Sequence, residues 1–150
     1  MQKKTHKKQY GFTLLEVLLS VALISAIVGI GAPVLQSFQN RNDLSLTTTN
    51  IVQSLRRAQA LSQSGDRSGS WGVHLQNGEI TMFQGSSYAL RNNTLDEISK
   101  ISLAITFSGV DEVTFAELSG EPSTTGTITV TSNINEARNI TINEKGILNF

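Results

Sequence analysis

The chain has 150 residues, 39% hydrophobic and 16% charged, with twelve basic and twelve acidic side chains; this length allows one domain and a long additional helix. Four of the basic residues lie among the first eleven, so residues 12–150 carry eight basic and twelve acidic groups, a balance that argues against a generic nucleic-acid-binding surface. Because the chain has no cysteine, disulfides, lipoprotein attachment and thiolate metal sites are excluded, and the fold must be held by packing and strand pairing alone.

A basic leader over residues 1–11 precedes a long apolar run over residues 12–38. Glu16 is the one charged residue between Phe12 and Gln39, and a helix of this length spans a hydrocarbon core of ~30 Å. The pattern predicts a single membrane-spanning helix that lies in lipid or among similar helices. We expect the leader to stay on the cytoplasmic side because of its basic residues. These residues are Lys3, Lys4, Lys7 and Lys8.

Glu16 is unusual in this apolar surrounding. A carboxylate in a membrane helix costs ~2.5 kcal/mol or more toward the bilayer centre unless a partner offsets it. Cleavage between Gly11 and Phe12 would create an α-amino group four residues before Glu16, and this amine could pair with the Glu16 of its own chain or of a neighbour. The alternative is a membrane anchor that tolerates a glutamate whose head group reaches the interface.

The segment from Lys7 to Pro33 resembles the prepilin N-terminus of type IV pilins and type II secretion pseudopilins, because Gly11 is followed by Phe12-Thr13-Leu14-Leu15-Glu16-Val17 and a long apolar helix. The resemblance implies cleavage after Gly11 by a prepilin peptidase, N-methylation of Phe12, and a role for Glu16 in docking each subunit into a growing filament. A secretory signal is instead cut after its apolar segment. Here the apolar helix would stay on the mature protein.

The same resemblance implies a bacterial inner-membrane protein with one membrane pass, a cytoplasmic leader and a head outside the cytoplasm. The expected partners are membrane lipid before assembly, the prepilin peptidase, an inner-membrane assembly platform and other pilin or pseudopilin subunits. The final location would be a pilus or pseudopilus filament.

Helix-breaking residues cluster near the end of the apolar run at Gly29, Gly31 and Pro33. Pro33 cannot donate to the carbonyl of Gly29, and its ring crowds that turn, so a kink or local melting is expected. A helix that simply ends here is the alternative, but helical spacing resumes downstream and favours a flexed, continuing helix. The resemblance makes these residues the candidate hinge for packing into a filament.

Residues 39–64 predict an amphipathic second half of the helix, with Ile51, Leu55 and Ala58 on one face. Asp43 or Ser45 could cap a restarted helix, and Gly65 is a natural stop. Arg56 and Arg57 point away from the apolar face and are expected to be solvated or paired with acids. The Leu-Arg-Arg-Ala-Gln-Ala pattern at residues 55–60 is similar to the same helix in the GspH/FimT branch of minor pilins and pseudopilins.

Residues 65–150 predict a β-rich globular head. Asn77-Gly78 between two alternating runs indicates a hairpin with a type I′ turn, and 144–146 fits a tight turn before the last strand. The other predicted strands cover 101–107, 113–118, 128–130, 140–142 and 147–150. The fold class is therefore α+β, with the helix packed on a mostly antiparallel, pilin-like sheet.

No catalytic constellation is visible in the sequence, so we predict no enzymatic activity, cofactor or metal site. The histidines are His6, in the leader, and His74, which has no second ligand at metal-binding spacing. The adjacent acids at 96–97 and 111–112 would face opposite sides of a strand, whereas acid–base chemistry needs convergent groups.

Two functional hypotheses remain. The first is a structural subunit, a minor pilin or pseudopilin. The second is a filament-tip subunit that binds an adhesive ligand or takes up DNA. Trp71, Phe83 and Tyr88 of the head fit a core better than a platform for nucleic-acid bases, which favours the first hypothesis.

Overall fold

The computed structural model describes residues 11–65 and 69–150, apart from the side chains of residues 30–34. The leader residues Lys3, Lys4, His6, Lys7 and Lys8 lie outside the described residues. The chain divides into two compact units, with the boundary between Gln36 and Ser37. In chain order the elements of the described residues are α1 (Leu14–Ser64), β1 (Trp71–Gln76), β2 (Glu79–Gln84), β3 (Glu97–Lys100), β4 (Ile105–Gly109), β5 (Glu112–Phe115), β6 (Gly126–Ser132), β7 (Ala137–Ile142) and β8 (Leu148–Asn149).

In the second unit, α1 buries one stripe of side chains that recurs every three or four residues. The predicted face of Ile51, Leu55 and Ala58 is fully buried. The stripe also includes the polar Thr48, whose hydroxyl donates to the Leu44 carbonyl at 2.7 Å and so needs no outside partner. α1 continues from Leu14 to Ser64, as the favoured continuing helix predicts, so neither Asp43 nor Ser45 caps a restarted helix. Its predicted stop is confirmed: α1 ends at Ser64, and Gly65 follows with φ of 64°.

The first sheet has the strand order β3-β2-β1-β5, and all its pairs are antiparallel. The predicted hairpin of β1 and β2 is confirmed, with Gln76 opposite Glu79. The predicted turn type was wrong: Gly78 has φ of 91°, but Asn77 does not have positive φ, which a type I′ turn requires at both central residues.

The second sheet has the order β4-β6-β7-β8 and is also antiparallel. In β6, Ile128 and Val130 face inward and threonines alternate with them on the outer face. The inward side chains of both sheets and the buried stripe of α1 belong to one apolar cluster. The α+β fold class is therefore confirmed, with two four-stranded sheets sharing a core with the helix.

Three strand predictions were wrong. The pattern across 101–107 contains a turn, because the Ile105 amide donates to the Ser102 carbonyl at 3.1 Å, and β4 starts only at Ile105. The strand at 113–118 ends at Phe115, since Leu118 has φ of 67°. In the last strand the inward residue is Leu148, whereas Ile147 and Phe150 are exposed.

Gln59 of α1 ties together two loops that lead to different strands. Its side-chain amide donates to the Gly120 carbonyl at 3.0 Å and to the Lys145 carbonyl at 3.3 Å. Gly146 has φ of 71°, and a Cβ added there would collide with the Gln59 side chain. This close approach explains why the predicted tight turn before the last strand needs glycine.

Candidate functional site

The segment that begins α1 is exposed and has its own capping interaction. Gly11, Phe12 and Thr13 precede the helix and have no regular structure. The Thr13 hydroxyl oxygen accepts a hydrogen bond from the Glu16 amide at 3.2 Å, and the Thr13 carbonyl accepts from the Val17 amide at 3.2 Å. Thr13 is therefore the N-cap, and Thr-x-x-Glu is the sequence of a capping box. This role of Thr13 was not predicted from the sequence, although the spacing of Thr13 and Glu16 indicates it.

Glu16 occupies the third position of α1 and is exposed. A carboxylate in the first turn of a helix lies close to the positive end of the helix dipole. The predicted cleavage bond between Gly11 and Phe12 lies in the same exposed segment as Glu16. The chain thus presents the predicted cleavage bond, a capped helix start and a lone acid in sequence.

The helix surface that follows is apolar on all sides. Every described side chain from Phe12 to residue 29 is exposed. The two serines in this stretch satisfy their own hydroxyls, because Ser20 and Ser25 each donate to the carbonyl four residues earlier at 2.7 Å. An apolar surface of this extent is unusual on a soluble monomer and indicates burial against lipid or other protein.

Along the described residues, no helix combines the length and the apolar character needed to cross a membrane. The membrane-spanning assignment for residues 12–38 remains a prediction.

The α1 helix continues through the candidate hinge. A Cβ added to Gly29 would meet nothing within 4 Å, so packing within the chain does not require glycine at this position. The surroundings of Gly31 and Pro33 lie outside what the structure describes. The hinge therefore remains a prediction.

Trp71, Phe83 and Tyr88 do not form an open platform for bases. Trp71 and Phe83 are buried. Tyr88 has both ring faces occupied, since its centroid lies 4.0 Å from the His74 centroid and 3.7 Å from the Arg91 guanidinium carbon. Stacking of nucleic-acid bases on these three rings would require the head to open.

Arg57 of α1 and Arg91 of the head each pair with an acidic side chain. Arg57 forms two hydrogen bonds with the Glu97 carboxylate, at 2.6 and 2.8 Å, which bears out the expected pairing. Arg91 donates to Asp96 at 2.8 Å, and this hydrogen bond raises the pKa of the guanidinium above its usual value. Arg57 and Glu97 lie 40 positions apart and leave no local sequence signal, so this partner was not predictable.

Among residues 11–65 and 69–150, no group of three or more potential ligands is placed to hold a metal ion. His74 Nδ1 lies 4.0 Å from a Glu112 carboxylate oxygen, which is the nearest approach to a ligand pair at that histidine. A histidine beside one carboxylate does not complete a metal site.

Comparisons with known proteins agree with this description. The family model of the prokaryotic N-terminal methylation motif matches residues 6–32, which include Gly11, Phe12 and Glu16. The fold is similar to the minor pseudopilin EpsH from the type 2 secretion system of Vibrio cholerae, with a TM-score of 0.53, 14% sequence identity, and coverage of 71% of this chain and 94% of that chain. No curated protein matches the chain.

The chain therefore joins a prepilin-type methylation motif to a pseudopilin fold. The resemblance to the type IV pilin and type II secretion pseudopilin family is confirmed.

Proposed function

We propose that this protein is a minor pilin or pseudopilin, a structural subunit of a type IV pilus or a type II secretion pseudopilus. The observation that carries the proposal is the methylation motif over residues 6–32 on a chain with the fold of a minor pseudopilin. The solved relative comes from a type 2 secretion system, which favours the pseudopilus over the pilus.

Maturation would begin at the exposed segment before α1. A prepilin peptidase cuts between Gly11 and Phe12, and the new amino group of Phe12 is methylated. Before assembly the apolar half of α1, residues 12–38, lies in the inner membrane with the head outside the cytoplasm. An exposed apolar surface on every described side of residues 12–29 supports this environment.

Assembly would transfer the apolar helix from lipid to a bundle of similar helices at an inner-membrane platform. Helix packing gives the contact area, but it does not fix the axial position of one subunit against the next. A single carboxylate at Glu16 and a single positive amine at Phe12 supply that register, because an ion pair away from water is strong only when the groups meet closely. Glu16 thus docks against the amine of a neighbouring subunit.

The test compares Glu16→Val with Glu144→Val, which removes an exposed acid from the head. Glu16→Val should insert and be cleaved normally but be recovered poorly in filaments sheared from the cells. Glu144→Val should be recovered like wild type. Immunoblots of the sheared fraction, normalised to total protein, decide between them, and equal recovery of both variants would remove the proposed role of Glu16.

A further inference from the structure

The two described sheets of the head have four edge strands, and three of these are protected against further pairing. The outer edge of β5 is covered by the chain that follows it, because the Ser123 amide donates to the Thr114 carbonyl at 2.7 Å and the Ser123 hydroxyl accepts from the Thr114 amide at 3.1 Å. β8 has two residues. β3 has four exposed residues and carries Glu97 and Lys100 at its ends. Short length and charge commonly keep an edge strand from pairing with another chain.

β4, the edge strand of the second sheet opposite β8, lacks this protection. It has five residues, Ile105–Gly109, and the surrounding segment 101–110 contains neither a charged residue nor a proline. Its isoleucine, threonine and phenylalanine favour extended structure. An uncharged edge strand of this kind is a template for pairing with another chain.

The backbone of β4 is open on the side away from β6. The Ser132 amide donates to the Glu136 carbonyl at 2.8 Å, so the backbone groups of Ser132 face β7 and those of Thr131 face β4. Thr131 lies opposite Thr106, so the backbone groups of Thr106 point to β6 and those of Phe107 point outward. Among the described residues, no hydrogen bond reaches the Phe107 amide or carbonyl. The edge therefore offers a free donor and a free acceptor at its centre.

The strand already paired with β4 shows what kind of strand fits it. β6 alternates threonines with Ile128 and Val130 and has no charged residue. Val130 lies opposite Phe107 on the inner face, and threonines lie opposite the hydroxyl side chains of β4 on the outer face. A strand on the free side of β4 meets the same two sets of side chains, because the inner and outer faces of β4 are the same for both neighbours. The matching occupant is an uncharged strand that alternates apolar and hydroxyl side chains.

A second copy of β4 is not the occupant that the proposed function allows. Two β4 strands paired antiparallel are related by a twofold axis normal to the sheet, so the two head helices packed against the sheets would run in opposite directions. Subunits that leave one membrane for one filament run in the same direction. The occupant is therefore a segment of a different protein.

We propose that the free edge of β4 pairs with an extended, uncharged segment of a companion protein, which adds a fifth strand to the second sheet. The segment places an apolar side chain opposite Phe107 and hydroxyl side chains opposite Thr106 and Ser108. Its backbone satisfies the free amide and carbonyl of Phe107, so main-chain hydrogen bonds give affinity and the alternation gives specificity. The choice of a different protein over a second copy rests on the proposed function, whereas the pairing itself does not.

The test needs no filament assembly. It uses the full-length protein in detergent and two fluorescent synthetic peptides, Asn-Thr-Ile-Thr-Val-Thr-Asn and Asn-Thr-Ile-Pro-Val-Thr-Asn, read by fluorescence anisotropy. The first peptide should bind at least about tenfold more tightly, because proline removes a backbone donor and opposes pairing within a strand.

Two substitutions at one position isolate the free donor of β4. Phe107→Ala and Phe107→Pro remove the same side chain, but only proline removes the outward N–H, which β6 does not use. Phe107→Pro should bind the first peptide about fivefold more weakly than Phe107→Ala, the effect of one lost backbone hydrogen bond. The unfolding midpoints of the two variants check that the second sheet is retained.

Thr106→Lys and Thr141→Lys form a second pair that leaves the core untouched. Both threonines are exposed on the outer face of the second sheet, but Thr106 lies in the edge strand and Thr141 in the interior strand β7. Thr106→Lys should weaken binding of the first peptide several-fold, and Thr141→Lys should bind like wild type.

The proposal fails if the first peptide does not bind or binds no better than the second. It also fails if folded Phe107→Pro binds as tightly as Phe107→Ala, or if the two lysine variants bind alike. Binding of the first peptide that weakens as protein concentration rises would show that a second copy occupies the edge, and this too would overturn the proposal.

Discussion

Substitutions at Thr13 and Glu16 should separate helix capping from subunit docking. Both residues lie at the start of α1, where the Thr13 hydroxyl accepts a hydrogen bond from the Glu16 amide at 3.2 Å. Thr13→Ala removes this acceptor and should cost about 1 kcal/mol of local helix stability. That is about a fivefold change in the equilibrium of the first turn, and the rest of a 51-residue helix is left intact.

Glu16→Gln should preserve the helix start that Thr13→Ala weakens and remove the charge that Thr13→Ala keeps. Glutamine can occupy the third position of a capping box, so the local helix is preserved, but the negative charge is lost. A neutral side chain cannot form the ion pair that sets the register between neighbouring subunits. We therefore expect Glu16→Gln to reduce filament recovery strongly and Thr13→Ala to reduce it slightly.

The assay is the fraction of each variant recovered in sheared filaments, with cleavage verified by the size of the protein in the membrane fraction. Circular dichroism of the purified variants checks that helix content is retained. The reasoning is refuted if Glu16→Gln assembles like wild type while Thr13→Ala does not, because the two residues would then act through capping alone.

Two further predictions concern the head. Leu55→Ala should lower the free energy of unfolding by about 2–5 kcal/mol, whereas Leu46→Ala, at an exposed position of the same helix, should change it by less than about 0.5 kcal/mol. Denaturant titration followed by the fluorescence of Trp71 measures both free energies. Similar losses in the two variants would contradict the packing described. Gly146→Ala should cost more than about 1 kcal/mol, because positive φ and the Gln59 side chain both oppose a Cβ, and the cost should be smaller in a Gln59→Ala background. Strict additivity of these two changes would show that the side-chain collision contributes nothing.

The features that local sequence predicts correctly are those in which neighbouring residues set the structure. The buried face of α1 follows from the spacing of Ile51, Leu55 and Ala58, and the hairpin follows from Asn77-Gly78 between alternating runs. The prepilin-type segment is also contiguous, so its residues could be named without a structure. Periodicity and turn chemistry contain this information because they act over a few residues.

The features that sequence did not predict depend on contacts between distant residues. Arg57 and Glu97 are 40 positions apart, and no local pattern marks the strand in which Glu97 lies. In the segment that links β2 to β3, the Tyr88 ring contacts His74 of β1 and Arg91. The loop after β5 likewise contacts a distant element, since the Leu118 amide donates to the carbonyl of Ser62 in α1. Tertiary contacts of this kind override propensity and alternation.

The central claim is that the subunit found in filaments begins at Phe12 and was freed for assembly by cleavage after Gly11. The most direct test is intact-mass measurement of the protein in sheared filaments, alongside the Gly11→Ala variant. Wild-type filaments should contain a chain that begins at Phe12 and carries one added methyl group, and Gly11→Ala should remain as an uncut precursor outside filaments. Filaments built from chains that still carry residues 1–11 would contradict the account.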